Sequence, residues 1–354
     1  MAFGGLVAIA TASVLCLSGC ANLGYYWQSA TGHLKIMSAA KPVEEWLGDV
    51  EAPERLKNRL ALSQRIRHFA VRELKLPDNS SYHRYADLHR TAAVWNVVVA
   101  PPYSLTLKRW CFPVAGCVGY RGYFDEAQAR ADAALFTSQG YEASVYPVPA
   151  YSTLGWMNWA GGDPLLNTFI YYPDGELARL LFHELAHQVV YAKDDTPFNE
   201  SFATAVERIG VARWLEGEAS PAARKDYAQY DGRRKQFRAL ALATRKRLET
   251  VYSQDEGIQR EQLKQAALQE FRQQYALVRE GWGGDPARWR AYDRWVQQAN
   301  NASFGAQAAY DELVPGFEAL FEREGRDWKR FYDAVRRLAT VPKDERHRLL
   351  NDLP

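Results

Sequence analysis

The chain has 354 residues, of which 47% are apolar and 24% are charged. This is the composition of a globular protein with its own hydrophobic core, and the length suits one large or two ordinary domains. The 44 basic and 42 acidic residues leave a net charge of +2. That balance gives no reason to expect a nucleic-acid partner or a strongly acidic one.

The first predicted element is an export signal at residues 1–19. Residues 2–17 are nearly all apolar or small, and the sequence LSGC ends at Cys20. A short apolar run that ends in small residues is typical of a signal peptide, whereas a buried helix and a membrane span are the alternatives. No Lys or Arg precedes the run, which is a departure from the usual signal. Residues 20–50 are then expected to form a tether to a domain at 51–354.

The next part of the chain combines a helix with a small sheet. Apolar spacing predicts a helix at 53–74. Alternating or continuous apolar segments predict strands at 92–100, 103–112, 118–123 and 142–148, within a sheet-bearing part at about 90–160. Asp125 opens a sequence typical of a capped helix, which is expected to end near Gly140.

Two cysteines, Cys111 and Cys117, lie inside the sheet-bearing part. The other two, Cys16 and Cys20, fall in the predicted signal and at its end. Because an exported protein reaches an oxidising compartment, a cysteine pair that closes a short loop predicts a disulfide. The alternative is half of a metal site, for which the sequence has no second cysteine pair.

The rest of the chain is predicted to be helical, which makes the expected fold class α+β and predominantly helical. The helices at about 174–192 and 197–215 form one part at 174–216, with Asp174 as the N-cap candidate and Pro197 in a first turn. Beyond Pro221, a helical part at 221–354 is expected to hold helices at about 222–252, 258–279, 311–324 and 328–339. Their many charges favour solvated faces over a binding surface.

The helix at 174–192 carries the segment FHELAHQVVY, in which a glutamate and two histidines interrupt an apolar run. A buried carboxylate is costly unless it is paired or bound to something. His183 and His187 are four residues apart, so their side chains project from one helix face and can meet at one zinc ion. Glu184 lies one position further round, where it can act as a general base.

A third zinc ligand is expected on the second of these helices. Catalytic zinc commonly takes three protein ligands, and two His with one Glu is a known set. Glu200 is the first glutamate after His187 and is the predicted ligand, whereas Glu207, two turns further on, is the alternative. An acid in a first helical turn is also favoured by about 0.3–1 kcal/mol through the helix dipole alone. Asp194 and Asp195 are candidates for orienting one histidine.

HELAH followed by NESFA resembles the gluzincin metallopeptidases, in which a Glu on the next helix joins HExxH. Over most of the mature chain, the sequence also resembles a family of bacterial lipoproteins described as zinc aminopeptidases. LSGC is similar to a lipobox, in which the cysteine is lipidated, and Ala21 in place of Asp implies the outer membrane. The other segments that carry the resemblance are WCFPVAGCVGYRGYF, YPVPAYSTLGW, LLFHELAHQVVY, FNESFA and NNASF.

The resemblance implies a zincin-like peptidase with one zinc ion on His183, His187 and Glu200 and with Glu184 as the base. It implies an aminopeptidase in the bacterial envelope that faces the periplasm and is anchored in the membrane through a lipidated Cys20. It also implies that AYSTLGW, at 150–156, is an edge strand that binds the backbone of a peptide substrate, with a surface loop as the alternative.

Two questions stay open at this point. AYSTLGW has no acid to hold a substrate's free amine, so an endopeptidase is not excluded, and a non-catalytic zinc-binding lipoprotein that acts through a partner is the alternative function. A structural zinc usually has a fourth Cys or His ligand, and none is visible near His183. The residue that stabilises the oxyanion is also open, and the candidates are Tyr151, Tyr227, Asn301 and Tyr310.

Overall fold

The computed structural model describes residues 23–112, 116–254, 257–308 and 313–353. The predicted signal, Cys20 and Tyr310 therefore lie outside the described residues. The elements, in chain order, are α1 (23–39), β1 (Lys41–Pro42), α2 (Val43–Gly48), α3 (Glu54–Arg72), β2 (Arg84–Ala86), β3 (Val94–Ala100), β4 (Trp110–Phe112), β5 (Gly116–Val118), β6 (Arg121–Tyr123), α4 (Glu126–Ser138), β7 (Glu142–Val148), β8 (Leu165–Leu166), α5 (Asp174–Ala186), α6 (Thr196–Gly217), α7 (Pro221–Gln254), α8 (Ile258–Glu280), α9 (Arg290–Gln298), α10 (Asn301–Ala308), α11 (Val314–Arg323), α12 (Trp328–Thr340) and α13 (Lys343–Asn351).

The part of the chain expected to be a tether is structured from residue 23. In α1, Ile36 is buried in the main core, and the Gln28 side chain bonds to the backbone of Gly122 and Phe124. β1 pairs antiparallel with β2, which pairs in parallel with β8 in a small sheet that the sequence does not predict. Apolar residues on the inner face of α1 explain the difference, since they are buried against the domain.

A three-stranded antiparallel sheet, in the order β6-β3-β7, stands beside the functional site. All seven residues of β3 are buried because helices cover both faces of the strand. On one face Trp95, Val97 and Val99 pack with α4, and on the other Val98 and Ala100 pack with α10. This period of two is the ordinary alternation of a strand. The helix α4 begins as predicted, because the Asp125 side chain accepts a hydrogen bond from the Gln128 N–H.

The strand predicted at 103–112 is wrong for its first seven residues. Only β4 is a strand there, and it forms a hairpin with β5 in which Cys111 lies opposite Cys117 and is joined to it by a disulfide. Residues 103–109 follow two prolines, which have no backbone N–H to donate. The expected strand at 118–123 is likewise divided, since β5 pairs with β4 and β6 pairs with β3.

The remaining helices form two groups, each with its own hydrophobic cluster. The main core joins α3, α5, α6, α11 and α12, whereas α7 to α10 enclose an aromatic cluster that includes Phe237, Phe271, Trp289 and Phe304. The sequence does not predict α9, α10 or α13, and α11 begins at Val314 rather than at 311. The molecule is thus predominantly helical with small sheets, as expected. None of its helices within the described ranges has the length and apolarity that a bilayer-crossing helix needs.

Asp195 fastens the start of α6 to the C-terminal helix α13. Its side chain is 1% exposed and accepts hydrogen bonds from the Phe198 N–H and from His347 Nε2, the latter at 2.9 Å. Arg346 lies 3.6 Å away. Because the Asp195→Ala change removes both a helix cap and a buried ion-pair partner, we expect it to lower the free energy of unfolding by about 2–4 kcal/mol, as measured by urea denaturation.

The matched control for that prediction is Asp327→Ala. Asp327 caps α12 by accepting from the Arg330 N–H, but it is exposed. Its loss should therefore cost only about 1 kcal/mol, the usual value of a cap. Equal destabilisation by the two changes would show that Asp195 is no more than a cap.

Candidate metal centre and active site

The two histidines of HELAH lie at the carboxyl end of α5, which is shorter than predicted. The helix ends at Ala186, and His187 is its C-cap residue, although its N–H still bonds to the His183 carbonyl at 3.3 Å. The Asn199 side chain, from α6, accepts from the Ala192 N–H and donates to the Ala192 carbonyl. These bonds hold residue 192 in the connection to α6 and explain why the helix does not reach it. At the other end, Asp174 is the first helical residue rather than the N-cap, and it pairs with Arg59.

The structure brings His183, His187 and Glu200 together. The two Nε2 atoms are 3.1 Å apart, and Glu200 Oε2 lies 3.3 Å from that of His183 and 3.6 Å from that of His187. A tetrahedral zinc ion with bonds of about 2.0–2.1 Å separates its ligand atoms by about 3.3–3.4 Å. The three donors therefore fit three corners of such a coordination sphere, and these side chains are the ones that could hold the metal.

The charges of this cluster show what a metal would replace. Burial lowers the pKa of His183, but hydrogen bonds with Glu200 and Glu207 outweigh it and raise that pKa to about 10. Burial raises the pKa of the Glu200 carboxyl, but its interactions with the two histidines outweigh burial and lower that pKa. Because zinc takes a histidine as the neutral imidazole, a metal ion that binds here must displace a proton from His183.

Glu207, the alternative metal ligand, lies behind His183 instead. Its Oε2 is 2.9 Å from His183 Nδ1, and its Oε1 is 2.6 Å from an Arg179 guanidinium nitrogen. Arg179 in turn faces Glu176 at 3.6 Å, which Arg234 of α7 contacts at 2.8 Å. Burial opposes ionisation, but Arg179 and His183 lower the pKa of Glu207 to about 2. We call Glu207, Arg179, Glu176 and Arg234 the Glu207 relay. Their alternating charges hold the His183 ring with Nδ1–H towards Glu207 and Nε2 towards the metal position.

The other carboxylates considered for that orienting role point elsewhere. The Asp194 side chain accepts from the Cys117 N–H, and Asp195 binds His347. His187 Nδ1 is buried without a hydrogen-bond partner in the described part of the chain. Within the described residues, His183 is therefore the one of the two metal-binding histidines whose Nδ1 contacts a carboxylate.

The cluster opens onto a cleft of about 350 Å³ between the sheet, α1, α5 and α6. Glu184 lines it together with the three metal-binding candidates, and burial raises the pKa of the Glu184 carboxyl. Tyr120 also lines the cleft, and burial, followed by the charges of Glu200 and other neighbours, raises its pKa well above the usual value. Its phenol therefore stays protonated at neutral pH and can donate a hydrogen bond to a carbonyl oxygen.

The segment 150–156, expected to be an edge strand or a loop, is a loop. Tyr151, Ser152 and Leu154 line the cleft, and Leu154 has a positive φ of 56°. The buried carboxylate of Asp163 holds the segment by accepting from the Thr153 N–H at 2.9 Å and from its hydroxyl at 2.7 Å. The segment thus forms a cleft wall that is fixed by a side chain rather than by strand pairing.

The four oxyanion candidates are dispersed. Tyr151 lines the cleft, whereas Tyr227 packs on Gly175 beside the Glu207 relay and Asn301 binds the Tyr252 hydroxyl and the carbonyls of 101 and 102. Tyr310 lies outside the described residues. Sequence reasoning missed three further phenols that line the cleft, those of Tyr25, Tyr120 and Tyr191. No local spacing links Tyr25 or Tyr120 to HELAH, whereas Tyr191 lies four residues after His187 and could have been found from that spacing.

Comparison with known proteins gives one result. The family model described as "Putative aminopeptidase" matches residues 24–350, which is nearly the whole chain. Neither the curated proteins nor the solved structures contain a match. The chain therefore belongs to the putative aminopeptidase family.

Proposed function

We propose that this protein is a zinc-dependent aminopeptidase whose metal is held by His183, His187 and Glu200. The observation that carries the proposal is the mutual spacing of the three donor atoms, 3.1 to 3.6 Å. The family match supports peptide-bond hydrolysis. The order of a sheet, a helix with HExxH and a second helix with Glu supports a zincin-like arrangement of the gluzincin type.

The roles of the chain's own residues follow from the cleft. Zinc, when bound, supplies a Lewis acid that polarises a carbonyl and acidifies a water molecule. Glu184 accepts the proton of the attacking water and passes it to the leaving amine, a task helped by the raised pKa of its buried carboxyl. The Glu207 relay keeps the His183 ring in place during these transfers.

We further propose that the protein is a bacterial envelope lipoprotein, anchored through Cys20 in the outer membrane and facing the periplasm. The sequence LSGC, directly after an apolar segment, supports this location. If its signal is still cleaved, a Cys20→Ala variant should be found in the soluble fraction of the producing cells rather than in the membrane fraction. Equal membrane association of the variant would contradict the anchor.

The function is tested on the full-length protein in detergent with a mixed peptide library read by mass spectrometry. We expect one zinc ion per chain and removal of N-terminal residues that a chelator abolishes and added zinc restores. Cuts inside the peptides would support a metallopeptidase but contradict its assignment as an aminopeptidase. Bound zinc without any cleavage would instead favour the non-catalytic, partner-binding protein.

A further inference from the structure

The helix α1 exposes an apolar stripe on its outer face. Leu23 is 71% exposed, Trp27 72% and Leu34 64%, and Tyr26 and Ala30 are exposed beside them. Positions four and seven residues apart lie on one side of a helix, so these five side chains form a continuous surface. We call them the α1 stripe.

The opposite face of α1 is fully used by the fold. Ile36 is buried, and a β-carbon at Gly32 would collide with the Phe124 ring, so the helix lies directly on that ring. Tyr25 and Ser29, from the same inner face, line the cleft of the candidate active site. The α1 stripe is therefore not a face that could turn inwards, because the helix is already fixed by its other side.

The composition of α1 suits a lipid surface. Contiguous exposed apolar residues on a folded domain mark an interaction site, and Trp and Tyr favour the interface between headgroups and acyl chains. Residues 23–39 contain no Asp or Glu and one basic residue, Lys35. No carboxylate on this helix would therefore repel the phosphates of a bilayer.

The position of the stripe in the chain identifies its partner. Two residues, Ala21 and Asn22, lie between Cys20 and Leu23. The three peptide steps from Cys20 to Leu23 span at most about 10 Å. Resting on the proposed lipidation of Cys20, we propose that the α1 stripe lies on the bilayer interface next to the acyl anchor, so that α1 docks the domain on the membrane.

This docking would fix the distance between the candidate active site and the membrane surface. A helix with its side chains is about 10–12 Å across, and Tyr25 and Ser29 line the cleft on the far side of α1 from the stripe. The cleft then lies about one helix diameter from the headgroups. Peptides held at the membrane surface are the substrate class that this position favours.

The test uses full-length lipidated protein in vesicles of phosphatidylethanolamine and phosphatidylglycerol, with a nitroxide label at Leu34→Cys. Leu277→Cys on α8 is the matched control, because Leu277 is also 64% exposed on a helix. The measurement compares how often the nitroxide label collides with oxygen, which concentrates in the bilayer, and with a water-soluble nickel chelate. We expect a several-fold higher ratio of oxygen to nickel collisions at Leu34 than at Leu277.

Each other outcome contradicts a different statement. Equal ratios in protein that floats with the vesicles would overturn the docking and leave the lipid anchor and the peptidase intact. Protein that does not float would overturn both the anchor and the docking. Dipolar broadening between Leu34 labels, with low access to oxygen, would show that a second copy covers the stripe. Peptide cleavage, measured separately in detergent, distinguishes all of these from failure of the proposed activity.

Discussion

Glu184→Gln is expected to lower kcat for peptide hydrolysis by about 10²–10⁴-fold, the usual contribution of a positioned general base. The change replaces a proton acceptor by an amide of nearly the same shape. Glu184 is not among the three clustered donors, which are His183, His187 and Glu200. The zinc content and the unfolding midpoint of the variant should therefore stay close to those of the parent protein.

The measurement combines steady-state kinetics on a peptide from the library with zinc content by atomic absorption. Glu216→Gln is the matched control, because Glu216 is exposed near the end of α6 and away from the cleft. It should change neither value. Full activity in Glu184→Gln would show that Glu184 is not the general base. Loss of both activity and zinc would show that this carboxylate helps to hold the metal.

The centre of the site is predictable from the sequence because its geometry is local. His183 and His187 share a helix face whenever the segment is helical, and a short connection returns Glu200 to the same place. The helical period and the length of one connection were thus enough to predict the cluster. The roles of these residues stay predictions until zinc and turnover are measured.

The surroundings of the site could not be predicted, because they depend on contacts between distant parts of the chain. The connection between α5 and α6 is held by the Asn199 side chain, which binds the backbone of Ala192. Tyr120 reaches the cleft through the sheet rather than through any spacing from HELAH. The helix α1 within the expected tether could not be predicted for the same reason, since its inner face packs against Phe124, which lies about ninety residues further along the chain.

Glu207 is the clearest of these cases, and its removal is the second large effect that we expect. The sequence spacing made Glu207 the alternative metal ligand. In the structure its carboxylate instead lies between His183 and Arg179 and binds both. Glu207→Ala should weaken zinc binding by about 10–100-fold, the range for loss of a carboxylate behind a metal-binding histidine. Because the change leaves a largely buried Arg179 without its main partner, it should also lower the free energy of unfolding of the zinc-free protein by about 3–5 kcal/mol.

Zinc competition against a fluorescent chelator and urea denaturation measure the two effects separately. The control is Glu73→Ala, which breaks a Glu–Arg pair of similar length, 2.8 Å to Arg213, on the surface. An exposed pair contributes about 0–1 kcal/mol, so this variant should bind zinc normally and unfold almost as the parent does. Unchanged zinc affinity in Glu207→Ala, despite lost stability, would mean that the Glu207 relay supports the fold without orienting His183. If affinity falls as expected, Glu207→Gln should recover part of it, because an amide oxygen can still accept the Nδ1–H of His183.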